Sequence, residues 1–443
     1  MPAFTLTGCE LGVATAATQI EGGTCDTAWH RWAAAGRITD GTSPARAADH
    51  WTRFAEDIAL LGDLGVRHYR MGLEWARIEP SPGHFDDAAL AHYRAELQAL
   101  RAAGVRPLVT LYHFNDPGWF ADLGGFLHDR ALTVFDRFVG RVLEALGDLV
   151  PEWIPVNEPN VYAVKSYLYG EWPPGHRSYG ETLQMMQVLA TAHIRAYTRI
   201  KDAFPEALVG TANHLRAFGP RRRWNPWDRF AAHALHYLFQ DALLRAMSRG
   251  RFLAPFVQPE GVRPGRYYDF QGINYYSRSS IAGFTDTVRP RVPVNDLGWE
   301  IDPNGLVEVA EWVHARYPGP LYLTENGTAD AADAFRSRFL YDHLRAIAGS
   351  RLPIQRYYHW SLTDNWEWVE GESARFGLVA LDYQTQQRTI RDSGRFFAGI
   401  AAAGGVSHAA YLRFVGDQRY PISLGRPRWR DRLVAGLHER EQR

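Results

Sequence analysis

Short apolar runs alternate with longer stretches whose apolar positions recur every three or four residues, and this alternation persists from about residue 12 to about residue 402. Runs rich in Val, Leu, Ile and Tyr occupy 12–16, 66–71, 106–112, 152–156, 207–213, 268–274, 321–324 and 354–359, and each reads as a strand. Helical spacing fills 53–64, 87–103, 129–146, 181–203, 226–249, 304–317, 332–348 and 389–402. In the first of these helices, Phe54, Ile58, Leu61 and Leu64 mark one face. Asp129 stands where a side-chain cap would start the third helix, and Gly147 where a glycine would stop it. Pro226 opens the fifth, in the first turn, where its missing N–H is harmless.

Eight strand–helix units without a linker predict an α/β chain folded as a single (β/α)8 TIM barrel over residues 1–443. Residues 403–443, rich in Arg, are expected to pack on the barrel or trail from it as an extension. A bare barrel needs about 250 residues, so the surplus must lie in loops. The long segments 22–50, 118–128, 165–180, 275–303 and 361–387 each follow a strand. They therefore gather at the C-terminal face and predict a deep, walled pocket.

Composition removes several function classes. Lys plus Arg and Asp plus Glu both number 49, so bulk attraction to a nucleic acid is not expected. Lys165 and Lys201 are the only lysines, and neither lies in a phosphate-binding loop. The chain has no dinucleotide fingerprint, serine nucleophile elbow or zinc-binding His-Glu-x-x-His helix. Cys9 and Cys25 cannot build a disulfide framework. No run is apolar and long enough to span a membrane, and Met1 to Gly12 lacks the pattern of a signal peptide. A cytoplasmic protein without cofactor or metal is the expectation. Asn326-Gly327-Thr328 fits a glycosylation sequence and is read as coincidence.

Two acids close strands: Glu158 in Val156-Asn157-Glu158-Pro159, and Glu325 in Thr324-Glu325-Asn326-Gly327. A carboxylate leaving an apolar strand is costly unless paired or used. Two of them, on strands four and seven, would face each other across one pocket. That pairing suits cleavage of a glycosidic bond, in which one acid protonates the leaving oxygen and the other stabilises or captures the anomeric centre. Arg70 ends strand two, where it could hold a carboxylate ionised. Gln19, His113, Asn157 and Asn274 offer neutral donors and acceptors suited to hydroxyls, while Trp360, Trp368 and Phe376 offer flat faces to a sugar ring. His113, His214 and His359 each lie in or just beyond an apolar run, and any one of them alone reads as structural.

These residues resemble glycoside hydrolase family 1, the β-glucosidase family, from about Gly12 to about Ile400. The carriers are Gly12-Val13-Ala14-Thr15-Ala16-Ala17-Thr18-Gln19, Asn157-Glu158-Pro159, Gly272-Ile273-Asn274-Tyr275-Tyr276, Thr324-Glu325-Asn326-Gly327 and Trp360 through Trp368. The resemblance implies a retaining exo-β-glycosidase with Glu325 as nucleophile and Glu158 as acid/base. Glu158 would then need a raised pKa until Glu325 is consumed. Arg70, Asn157, Asn274 and Tyr276 would support the pair, with Arg70 and Tyr276 keeping Glu325 ionised. Gln19, His113, Asn157, Trp360, Glu367, Trp368 and Phe376 would bind a small β-glycoside or oligosaccharide. Phe114 stands where most members carry Trp, which removes an indole N–H and implies a sugar preference relaxed toward fucose or galactose. Other readings are a 6-phospho-β-glycosidase or transglycosylase on the same fold, or a non-catalytic sugar-binding scaffold.

Overall fold

The structure is a computed structural model and describes residues 3–424. Its strands are β1 (Glu10–Ala14), β2 (His68–Gly72), β3 (Arg106–Tyr112), β4 (Glu152–Val156), β5 (in two pieces, Leu208–Val209 and Asn213–His214), β6 (Gln271–Asn274), β7 (Leu321–Asn326) and β8 (Ile354–Trp360). Neighbours pair in parallel from β1 round to β8, and β8 returns to β1 with Trp360 opposite Ala14. The ring closes through the interrupted β5, whose first piece pairs with β4 and whose second pairs with β6. The interruption holds Gly210, where a Cβ would lie 2.2 Å from the Phe270 ring. Only a glycine lets that ring into the barrel.

Alternate residues of each strand point inward, and they form layers. The lower layer is an apolar plug that includes Leu108, Ile154, Phe270, Tyr322 and Tyr358, with Phe270 stacked on Tyr322 at 4.0 Å between centroids. Above it lie Arg70, Thr110, Asn274 and Thr324, all fully buried. The change from oil to polar groups occurs one layer below the strand exits, which places the polar groups under the long loops.

The outer ring is α1 (His50–Asp63), α2 (Asp87–Ala102), α3 (Ala131–Leu146), α4 (Tyr179–Ala203), α5 (Pro226–His236 and Ala242–Arg249, joined by a π-turn at Tyr237–Asp241), α6 (Pro303–Arg316), α7 (Arg336–Gly349) and α8 (Asp392–Ala403). Side chains of Asp86, Ser178, Asn225 and Asp302 accept first-turn N–H groups of α2, α4, α5 and α6. Asp129 does not cap α3. His128 instead sets its start: the ring Nδ1 accepts from the Arg130 N–H at 3.1 Å, and the carbonyl from Ala131 at 2.9 Å. Gly147 does not stop the helix in a left-handed turn either. Its φ is −59°, and the chain runs on into a 3-10 turn. The missing side chain makes room for Phe204, whose Cε2 would lie 2.2 Å from a Cβ. α7 starts four residues after its expected start because the Asp330 carboxylate gathers the N–H groups of Ala334, Phe335 and Arg336 first.

The loops after β5 and β6 are partly regular. Ala217–Pro220 pairs with Arg278–Ala282, which pairs with Thr285–Thr287, and this three-stranded sheet walls one side of the barrel mouth. In the C-terminal extension, Gly405–Val406 pairs with Phe4–Thr5, His408–Phe414 is helical, and Ser423 bonds back to Arg291 and Val292. The rest of it, 425–443, lies outside the described residues. Among the described residues, no helix is long and apolar enough to cross a membrane.

Candidate active site

The polar groups above the plug form one bonded chain that joins the two acids. The Arg70 guanidinium contacts Oε1 of Glu325 through Nη1, donates to Oδ1 of Asn157 through Nη2 at 2.6 Å, and reaches Oγ1 of Thr110 through Nε at 3.2 Å. Asn274 Nδ2 donates to the same Asn157 oxygen at 3.1 Å and to Oε1 of Glu158 at 2.9 Å. Its own oxygen accepts from the Thr324 hydroxyl at 2.6 Å. Every amide orientation is therefore fixed by a partner that can only donate, or only accept, at that point. Glu158, Asn157, Arg70, Asn274 and Glu325 hold each other from strands β2, β4, β6 and β7.

The two carboxylates are treated differently. Glu325 lies between a cation and the Tyr276 hydroxyl, which donates to Oε2 at 2.7 Å. Both favour the anion, as the sequence leads one to expect. Burial nevertheless dominates and Glu158 adds to it, so the Glu325 carboxyl is pushed up to about 7, above the ordinary carboxylate range. Arg70 and Tyr276, expected to keep Glu325 ionised, act against that burial. Burial, with Glu325 and Glu158 nearby, also pushes the Tyr276 phenol well up, so that hydroxyl stays a donor. Glu158 accepts from the neutral Asn274 amide at 2.9 Å, and Nδ1 of His214 lies 3.3 Å from the same oxygen. The Glu158 backbone is left-handed at φ 40°, a strained setting for a residue with a Cβ. The turn aims its side chain back over the barrel as Pro159 starts the following helix.

Around this pair lie groups that can grip hydroxyls. Gln19 Nε2 donates to Oε2 of Glu367 and to the Trp366 carbonyl, each at 3.0 Å, while its Oε1 is buried without a partner. Asn157 Nδ2 donates to Nε2 of His113 at 3.0 Å, which makes that nitrogen an acceptor and leaves Nδ1–H as the unpaired donor. Burial and the Arg70 charge hold the His113 ring well below its ordinary pKa, hence neutral. Glu367 accepts from Asn365 at 2.7 Å, burial pushes it up to about 7, and among the described residues no cation pairs with it. Trp360 and Trp368 each stack 5.9 Å from His113, and Phe376 stands edge-on to Tyr276 at 6.4 Å. All the site residues chosen from the sequence thus meet in one place.

The chain belongs to glycosyl hydrolase family 1. The family's model matches residues 8–262 and 265–406, nearly the whole described chain. β-Glucosidase A of Thermotoga maritima is 31% identical over 435 residues, covering 89% of this chain and 97% of that protein. The solved structure of β-glucosidase from T. maritima in complex with glucoimidazole superposes with a TM-score of 0.85 at 30% identity, over 92% of this chain and all of the other. The chloroplastic galactolipid galactosyltransferase SFR2 of Arabidopsis thaliana is 30% identical over 81% of this chain and 58% of its own length. This family 1 protein is therefore a glycoside hydrolase, and the barrel expected from its sequence is the barrel it has.

Sequence reasoning missed three neighbours of the site in this family 1 chain. His214, weighed as structural, stacks on Tyr276 at 5.8 Å beside Glu158. Its signal was available, since it sits at the exit of β5 as Asn157 does at the exit of β4. Trp172 packs against Phe114 and Trp368, and Trp299 against Tyr276 and Phe376. Both lie in loops, where spacing carries no information about orientation. His359 is structural: Nε2 meets the Phe376 carbonyl at 3.3 Å and the ring packs toward Phe397. Asn326 is fully buried, with Nδ2 donating to the Tyr275 carbonyl at 2.7 Å, so it cannot be a glycosylation acceptor in the folded chain.

Proposed function

We propose that this chain is a retaining exo-β-glycosidase that removes terminal non-reducing β-D-glucosyl residues, with fucosyl and galactosyl residues within its range. The observation that carries the reading is the asymmetric support of the two acids. Glu325 is held by a guanidinium and a phenol, the setting of an anionic nucleophile; Glu158 is bonded by the neutral Asn274 amide, the setting of a proton donor. In the first step Glu325 attacks the anomeric carbon as the C–O bond to the leaving group breaks, and Glu158 gives its proton to the departing oxygen. In the second, Glu158 takes a proton from water, whose oxygen attacks the same carbon and frees Glu325. Gln19, His113 and Glu367 hold ring hydroxyls, and Trp360, Trp368 and Phe376 enclose the ring. Phe114, packed on Tyr162 and Trp172, brings no N–H to the sugar, which supports tolerance at the position an indole would read.

Chemical rescue tests the roles. Glu325→Gly with azide should give the α-glycosyl azide from an activated aryl β-glucoside, and Glu158→Ala with azide should give the β product. The reverse pairing would mean the roles are assigned backwards. A second reading, net glycosyl transfer, is supported by the likeness to a protein named as a galactosyltransferase. It predicts that a sugar or glycerol acceptor at tens of millimolar diverts most of the glycosyl-enzyme from water.

A further inference from the structure

At the end of the barrel opposite the acids, a cleft of about 590 Å³ is lined by four arginines, Arg245, Arg249, Arg251 and Arg316, together with Leu253 and Tyr317. Its position follows from the chain path. Arg249 ends α5 and Arg316 ends α6, and the chain passes from these helix ends to the starts of β6 and β7. The carboxylates sit where β4 and β7 finish, so the two sites occupy opposite faces.

Two of the guanidinium groups, those of Arg249 and Arg316, are pre-ordered by stacking. Arg249 donates to the Arg316 carbonyl at 3.2 Å and lies over the Tyr268 and Tyr317 rings, at 5.7 Å and 5.6 Å. Arg316 lies over Trp312 at 5.0 Å. Arg245 faces Asp241 at 3.3 Å, and among the described residues that is the only ion pair any of the four makes. Helix C-termini welcome a cation each, which accounts for Arg249 and Arg316 singly. It does not account for four cations converging on one concavity in a chain whose formal charge is zero. Crowded like charges with one carboxylate among them raise the local potential, and a multiply charged anion would relieve it. Planar forks held in place by stacking match phosphate oxygens better than they match a monoatomic ion. The volume is that of a small-molecule site, and Leu253, 42% exposed, adds an apolar rim.

We propose that this cleft binds a small polyanion carrying two or more phosphate groups, at a site separate from the glycosidase pocket. The test is isothermal titration calorimetry on the full chain at low ionic strength, with tripolyphosphate, ATP and inorganic phosphate as probes and sodium sulfate matched for ionic strength. Tripolyphosphate should bind at one site, at least tenfold tighter than inorganic phosphate. Equal affinity for ATP would mean that the phosphate chain alone is read; tighter binding of ATP would add a contact to its nucleoside. Arg251→Ala with Arg316→Ala should weaken tripolyphosphate tenfold or more while leaving the melting temperature and aryl-glycoside turnover in place. Arg251→Glu alone, at an exposed position, should give the same direction if the double variant melts early. Absence of saturable heat at millimolar tripolyphosphate, binding no stronger than sulfate, or unchanged affinity in both variants would overturn the proposal.

Discussion

The Tyr276 hydroxyl donates to Oε2 of Glu325 at 2.7 Å, on the side of the carboxylate away from its contact with Arg70. The bond favours the anion, against the burial that pushes Glu325 up to about 7. Removing it has two consequences. Tyr276→Phe should lower kcat/KM about 10²-fold, the usual cost of losing one preorganised donor to a charge. It should also raise the Glu325 pKa further. The nucleophile must be ionised, so the acid limb of the kcat/KM profile should move to higher pH. A variant that loses rate with an unmoved limb would show that Tyr276 only fills space.

Glu367 sets stability against function. Its carboxyl is pushed up to about 7 by burial, and its partners Asn365, Gln19 and Trp360 are all neutral. The folded value lies above the unfolded one, so the folded state holds the proton more tightly. The charge therefore costs nothing below about pH 4.5, and its cost grows until pH passes about 7. The full shift corresponds to at most about 3 kcal/mol. Glu367→Gln should raise the melting temperature at pH 8, with the gain vanishing at pH 4.5, and should lower kcat/KM for glucosides. A melting temperature that is unchanged at pH 8 would count against an uncompensated charge at this position.

Gly147 is held by packing and not by backbone freedom. A Cβ there would lie 2.2 Å from Phe204 Cε2, between the end of α3 and the end of α4. Gly147→Ala should cost about 1–3 kcal/mol through overpacking, seen as a melting temperature a few degrees lower, with KM for aryl glucosides unchanged. Gly147→Ala with Phe204→Leu should recover part of the loss.

What the sequence makes legible here is what depends on short range. β-Rich runs and helical spacing mark all eight units, and the acids at strand exits mark the site, because each is a pattern within a few residues. What it hides depends on partners far along the chain. The π-turn at Tyr237–Asp241 keeps the apolar face of α5 almost in phase, so 226–249 reads as one helix. Asp129 looks like a cap because capping types are recognised by identity, whereas His128 wins by position. Trp172 and Trp299 reach the site from loops whose course is set by the walls they pack on. The value of about 7 at Glu325 reflects burial under a full set of loops, and no local window contains that.

The surroundings of Glu367 also separate neutral sugars from 6-phosphorylated ones. A phosphate on O6 would approach the Glu367 carboxylate, whose Oε2 already accepts from the Gln19 and Asn365 amides. Two unit charges at about 4 Å cost about 4 kcal/mol at an effective dielectric near 20. Arg375, the nearest arginine along this loop, donates to the Leu381 carbonyl at 2.9 Å and lies 3.4 Å from the Asp364 carboxylate. No lysine occurs between 361 and 387 to replace it. Protonating Glu367 would reduce the repulsion, but it would also remove the anion that accepts two sugar hydroxyls. The kcat/KM for an aryl 6-phospho-β-glucoside should therefore fall at least about 10²-fold below that for the neutral glucoside. Glu367→Ser should lower neutral-sugar turnover and narrow the gap between the two substrates. Equal turnover of both by the unaltered chain would show that another group, not Glu367, reads the sugar at O6.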